Sequence, residues 1–266
     1  MDIPRDNQEW ISYIETLKKK LPESVAARHA PVPALVNRTI DHTLLSESAT
    51  EEQIDTLCDE AKEREFASVC VRLRHVAHAA QQLKDFRCVD VACVIGFPGG
   101  MDETSAKVKE TKEALALGAS ELDMVMKYPL LKEGKYVEVF QDVMAVREAA
   151  PKPVKLKVIL ETSQLSRDQI VAGAVIACVA GAEYVKTSTG FNGEGATREN
   201  VEIMRAVVDL TGKGKVKASG GIRTADDCLK MLKAGAERIG ASSGVKIMEQ
   251  LDHGELLEQG TGHAVY

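Results

Sequence analysis

The sequence predicts an α/β protein, a (β/α)8 TIM barrel with an additional N-terminal helix, and three observations carry that prediction. Eight short apolar segments alternate with helix-patterned stretches over roughly 230 residues, the count and rhythm of a barrel in which each strand is followed by a helix. Three junctions repeat one device: Leu117-Gly118-Ala119-Ser120-Glu121-Leu122-Asp123, Ala180-Gly181-Ala182-Glu183-Tyr184-Val185-Lys186 and Ala234-Gly235-Ala236-Glu237-Arg238-Ile239-Gly240. Glycine at the helix C′ position permits the left-handed turn into the next strand. No linker rich in Pro, Gly and Ser interrupts the series, which favours one barrel over two domains. A doubly wound open sheet is the alternative, but it requires a Gly-x-Gly-x-x-Gly turn after the first strand, and Asp41-His42-Thr43-Leu44 is no such turn.

The elements follow in order. Asp6-x-x-Glu9 resembles a helix start, and Trp10, Ile11, Ile14, Leu17 and Leu21 recur at helical spacing, so residues 7–20 form an amphipathic leading helix that Pro22 ends. Pro31 and Pro33 mark an extended connection. The domain reading is therefore 1–33 for helix and connection, 34–250 for the barrel and 251–266 for a C-terminal tail. Strands are expected at Leu35 to Asp41, Phe66 to Val71, Val89 to Gly96, Glu121 to Met126, Val154 to Leu160, Glu183 to Thr187, Lys215 to Ser219 and Arg238 to Ala241. Ser48-x-x-Glu51, Ser166-x-x-Gln169 and Thr224-x-x-Asp227 fit capping boxes or their Asp variant between them.

Composition narrows the function classes. With 266 residues, 44% hydrophobic content and a formal net charge of −6, the chain has a core of ordinary size and no basic footprint for nucleic acid or an anionic membrane. The N-terminus lacks the basic and apolar pattern of a signal peptide, and no apolar run approaches the ~20 residues of a membrane span. A cytoplasmic location is the default expectation. The six cysteines form no Cys-x-x-Cys pair and sit mostly in apolar segments, so no structural disulfide is expected.

The segment Tyr184-Val185-Lys186-Thr187-Ser188-Thr189-Gly190 carries the residue that most needs a reason. Lysine in an interior strand is seldom tolerated without a partner or a task. Its amine is nucleophilic only when neutral, and burial or a neighbouring cation increases that fraction. Active groups of a barrel gather at the C-terminal ends of the strands, which here bring together Asp41, Ser68, Cys70, Asp123, Lys157, Lys186 and Lys217. Strand alternation sets Val185 and Thr187 opposite Lys186, and Val216 and Ala218 opposite Lys217, so both lysines point into the barrel mouth. A lone strand-end lysine snorkels to solvent just as readily. Three on neighbouring strands beside an aspartate suit imine chemistry instead, with Lys217 lowering the Lys186 pKa and Asp123 balancing charge and handling protons.

Glycine and serine form a second constellation. Gly190, Gly220, Gly221, Ser242 and Ser243 follow the last three strands, where backbone N–H groups and hydroxyls make an anion cradle. Ordinary turn chemistry explains such residues singly; their clustering favours phosphate. His75 and His78 have helical spacing but no third ligand, so a solvated helix face is the better reading than a metal site. His42 either lines the mouth or serves the next helix start.

Over Ile40 to Ser243 the chain resembles the deoxyribose-phosphate aldolases. The matching motifs are Ile40-Asp41-His42-Thr43-Leu44-Leu45, Glu121-Leu122-Asp123-Met124-Val125, Leu156-Lys157-Val158-Ile159-Leu160-Glu161-Thr162, Tyr184 to Gly190, Val216-Lys217-Ala218-Ser219-Gly220-Gly221-Ile222-Arg223 and Arg238-Ile239-Gly240-Ala241-Ser242-Ser243. Many members carry a proline where Ala218 or Ser219 stands. The resemblance implies a class I aldolase that splits 2-deoxy-D-ribose 5-phosphate into acetaldehyde and D-glyceraldehyde 3-phosphate, with no metal or cofactor, acting on small-molecule phosphosugar and aldehyde as a homo-oligomer, dimer or tetramer. It implies that Lys186 forms the Schiff base while Asp123 and Lys217 exchange protons. Another phosphosugar Schiff-base lyase and a non-catalytic phosphosugar-binding barrel are the alternatives.

Overall fold

In the computed structural model, which describes residues 3–22 and 30–254, the eight expected strands are present and close on one another in chain order. They are β1 (Ile40–Thr43), β2 (Ser68–Val71), β3 (Asp90–Ile95), β4 (Glu121–Val125), β5 (Lys155–Ile159), β6 (Tyr184–Lys186), β7 (Lys215–Ser219) and β8 (Arg238–Ala241). All pairs are parallel, and β8 returns to β1 with Asp41 opposite Gly240. The helices form the outer layer: α1 (Asn7–Lys18), α2 (Glu51–Glu63), α3 (Val76–Leu83), α4 (Thr104–Ala116), α5 (Tyr128–Lys132), α6 (Tyr136–Ala149), α7 (Arg167–Val179), α8 (Arg198–Thr211), α9 (Ala225–Lys233) and α10 (Gly244–Asp252). The fold is the (β/α)8 barrel, with α1 before the first strand and the short α5 after β4 as extra elements.

Local chemistry sets most boundaries. Asp6 caps α1 by accepting from the Glu9 N–H, and Ser166 and Thr224 head reciprocal capping boxes at α7 and α9. Gly181, at φ 83°, makes the left-handed turn from α7 toward β6, a conformation that costs most other residues free energy. Trp10 is fully buried between Tyr13 and Phe140, Lys18 pairs with Asp168 at 2.7 Å, and α1 thereby docks on α6 and α7. Ile11, expected on the buried stripe, is exposed.

Several boundaries shift by one or two residues from expectation, and the start of β1 shifts further. The first strand was expected at Leu35 to Asp41, but Leu35 is 63% exposed, Asn37–Thr39 forms a 3-10 turn, and β1 begins only at Ile40. The Asn37 amide donates to the Arg64 carbonyl at 3.0 Å, which favours the turn over the ladder. Asp41 therefore lies at the start of β1 rather than closing it. The cap of α2 is Thr50, paired with Gln53, two residues beyond Ser48. Residues 255–266 of the expected tail lie outside the described residues, whereas 251 and 252 complete α10. Among the described residues no helix is long and apolar enough to cross a membrane.

The outward strand residues Leu122, Met124, Leu156, Val158, Val185, Val216, Ala218 and Ile239 pack with the helices in one continuous apolar core. Inside the barrel, Cys70, Ala92 and Val94 form a small separate apolar wall with Leu45. Among the other inward positions, Asp41, Glu121, Asp123, Lys157, Lys186, Lys217 and Arg238 are charged. Such interiors are usually filled by branched apolar side chains, so a charged one demands an account of every ion in it.

Candidate active site

Lys186 ends β6 beneath α7, whose residues from Ile170 to Cys178 are all buried, so the apolar helix places β6 in the interior. Alternation turns Val185 into that helix layer and Lys186 into the barrel. On β4 and β7 it turns Asp123 and Lys217 inward as well, and register places Lys186 opposite Lys217 and Asp123 opposite Lys157.

Asp123 is the hub. Its Oδ1 accepts from Lys157 at 2.6 Å, and its Oδ2 accepts from both Lys186 and Lys217 at 2.7 Å. Lys217 also donates to Asp41, which faces Arg238 at 3.2 Å. Lys157 reaches Glu121 at 2.6 Å and Asp41 at 3.6 Å, and Arg238 reaches Glu121 at 2.6 Å. Gly240 leaves room for this packing, since a Cβ there would lie 3.1 Å from Lys217 Cε and 2.9 Å from Ser219 Cβ.

Carboxylate contacts order the three lysines. Lys157 touches three and Lys217 two; burial opposes their charge, but the carboxylates outweigh it and hold both above the ordinary lysine pKa. Among the described residues Lys186 pairs with one carboxylate, that of Asp123. Burial pulls its pKa down, and Lys217 adds to that pull against the upward influence of Asp123. Asp123 itself is held well below the usual carboxylate range: burial works the other way but is overcome by Lys157, Lys186 and Lys217. Asp41, Glu121 and Asp123 face four buried cations, Lys157, Lys186, Lys217 and Arg238, and Glu121 shares the partly exposed Lys155 with Asp90, so with that outer pair counted the cluster holds one positive charge in excess. Releasing a proton from Lys186 removes that excess.

Lys186 also borders a cavity of about 310 Å³ that opens at the C-terminal ends of the strands. Its walls include Thr43 to Ser46, Thr189, Gly190, Phe191, Ser219, Gly220, Gly221, Arg223, Gly240 and Ser242. Gly220, at φ 87°, approaches Gly195 so closely that a Cβ would lie 3.0 Å from its Cα, and neither the turn nor the contact admits a side chain. Gly190, Gly220, Gly221 and Ser242 thus meet in one wall. Ser243 is not in the wall; it is the N-cap residue of α10. Arg223 brings a guanidinium to the same end.

The sequence profile of the DeoC/LacD family aldolases matches residues 35–250. The chain belongs to that family. The deoxyribose-phosphate aldolase of Coccidioides immitis (strain RS) is 56% identical over 248 residues, 92% of either chain. A solved Coccidioides immitis structure is 55% identical and superposes with a TM-score of 0.91, covering 93% of this chain and 98% of that one. The tetrameric deoxyribose phosphate aldolase from Aeropyrum pernix is 31% identical, with a TM-score of 0.74 over 90% of this chain and 97% of its own.

In this DeoC/LacD aldolase Lys186, Asp123 and Lys217 meet as the alternation of their strands requires. Glu121, Arg238 and Arg223 are partners that sequence reasoning did not nominate. The signal for the first two was the same period of two: Glu121 lies two residues before Asp123, and Arg238 two before Gly240. His42 bonds Glu60 at 2.6 Å and packs on Phe66, tying β1 to α2. His78 bonds Asp55 at 2.7 Å on the outer surface. Among the described residues no group of three His, Cys, Asp or Glu side chains is arranged to hold a metal ion.

Proposed function

We propose that this aldolase reversibly cleaves 2-deoxy-D-ribose 5-phosphate to acetaldehyde and D-glyceraldehyde 3-phosphate through a Schiff base on Lys186. The observation that carries the reading is that Lys186, of the three lysines around Asp123, both borders the cavity and has its pKa lowered. The neutral amine adds to the C1 aldehyde and water leaves, giving a cationic imine. Loss of the C3 hydroxyl proton then breaks the C2–C3 bond, whose electron pair the imine accepts as an enamine. D-Glyceraldehyde 3-phosphate departs. Protonation of C2 and addition of water return acetaldehyde and the free amine. Asp123 and Lys217 are assigned the proton transfers, because both lie within hydrogen-bond reach of each other and Asp123 of Lys186.

The test is chemical trapping. The chain incubated with acetaldehyde and borohydride should gain one reduced adduct, mapped by peptide mass spectrometry to Lys186. An adduct on Lys157 or Lys217 with Lys186 unmodified overturns the assignment, and trapping without cleavage of deoxyribose 5-phosphate points to a different Schiff-base lyase.

The phosphate is assigned to Gly190, Gly220, Gly221 and Ser242 on the wall that includes Arg223, with Ser243 contributing as the residue that starts α10. A carboxylate at this wall repels the dianion while the chemistry proceeds at the other end of the sugar. Ser242→Asp should lower the specificity constant for deoxyribose 5-phosphate by about ten to several hundredfold, the worth of one or two charge-assisted hydrogen bonds. Unphosphorylated deoxyribose should lose far less, and equal losses on the two sugars would remove the phosphate from this wall.

A further inference from the structure

Glu161 is fully buried just beyond β5 and adopts φ 60°, ψ 60°, a left-handed conformation that a residue with a Cβ rarely holds. Strain of this kind persists where surrounding contacts over-determine it, and here those contacts all reach one neighbouring loop. Oε1 accepts from the Thr189 N–H at 3.2 Å; Oε2 accepts from the Thr189 hydroxyl at 2.5 Å and from the Asn192 amide at 3.1 Å. The Thr189 hydroxyl in turn accepts from the Phe191 N–H at 3.0 Å. Ser163 and Gln164, which follow Glu161, donate to the Asn192 carbonyl at 2.5 and 3.3 Å.

We infer that Glu161 is a positioning residue for substrate binding, holding the Thr189–Asn192 loop so that Gly190 faces the phosphate-binding wall. The side chain does not border the cavity, whereas Thr189, Gly190 and Phe191 do. Its three donors all come from the segment directly after Lys186, so the carboxylate fixes where the loop lies without touching the reacting carbon. Gly190 has no side chain of its own to anchor it, and a Cβ there would meet only the equally bare Gly220 among the described residues. The loop's conformation therefore depends on its flanks, Thr189 and Asn192, and both end on Glu161.

The inference rests on the phosphate reading proposed above, and the experiment separates the two. Glu161→Gln keeps the shape but turns one acceptor into a donor that faces the Asn192 amide. It should raise KM for deoxyribose 5-phosphate about tenfold or more, the factor carried by one hydrogen bond to a charged group, with kcat within about threefold of the parent. Adding Asn192→Asp restores an acceptor for the new amide donor, and the double variant should return KM to within about threefold of the parent. Asn192→Leu alone, which reaches the contact from the exposed side, should raise KM in the same direction. A parental KM in Glu161→Gln, a loss confined to kcat, or a double variant no better than the single one overturns the inference. Ser242→Asp in the same assay reports on the phosphate wall itself: if it leaves KM unchanged while Glu161→Gln raises it, the wall assignment fails and the loop-positioning role stands.

Discussion

Asp123→Asn is expected to cut turnover about a thousandfold, within the range of a lost proton-transfer group, while acetaldehyde remains trappable on Lys186. The carboxylate receives three ammonium groups, and the amide that replaces it keeps one acceptor and presents a donor to a cation. Asp123 raises the Lys186 pKa, so its loss leaves the amine more neutral rather than less, and imine formation proceeds. Turnover and trapping are thereby uncoupled. Asp123→Leu should go further and destabilise the fold, because four buried cations would then face only Asp41 and Glu121. Breaking a buried pair costs about 3–5 kcal/mol. For a chain of this size that lowers Tm by roughly 10 °C. Cleavage assays, borohydride trapping and a thermal melt on both variants check the three outcomes, and parental turnover in Asp123→Asn removes the carboxylate from the chemistry.

Lys217→Leu should lower the specificity constant about a hundredfold at neutral pH and move the acidic limb of its pH profile upward. The sign follows from the neighbours: the Lys217 cation pulls the Lys186 pKa down, so removing it raises that pKa and leaves more of the amine protonated at neutral pH. Raising the pH should recover part of the loss, because it restores the neutral amine but not the missing proton partner. An acidic limb that stays in place would show that Lys217 acts on the proton transfers alone. Lys217→Arg is no gentle control, since Gly240 already lies close against the lysine stem.

Much of this site was legible because its determinants are local. Period-two alternation turned Lys186 and Lys217 inward, and the Gly-Ala stops located β4, β6 and β8. What escaped the sequence depends on closure. Lys217 meets Asp41 across 176 residues, and Arg238 meets Glu121 across 117, pairings that exist only once the last strand lies beside the first. The start of β1 was misplaced because Leu35 and Val36 continue the apolar pattern, while the Asn37 bond to the Arg64 carbonyl that ends it is long-range. Glu161 carried no mark at all, for nothing in Leu160-Glu161-Thr162 signals a left-handed backbone. Ser243 follows the glycine-serine pattern of the cradle yet heads α10 outside the cavity wall, a matter of half a turn that composition does not register.

Barrel closure also sets when Lys186 acquires its neighbours. A ribosome releases β6 before β7 and β8, so Lys186 emerges before Lys217 and before the barrel can close. An amine that is still hydrated and lacks a neighbouring cation holds its proton like any surface lysine. Aldehydes in the surrounding solution meet an ordinary ammonium on the growing polypeptide. On the role proposed above for Lys186, burial and the Lys217 cation, which together lower its pKa, act on the amine only once the barrel is closed, so the same event that completes the fold would arm the enzyme.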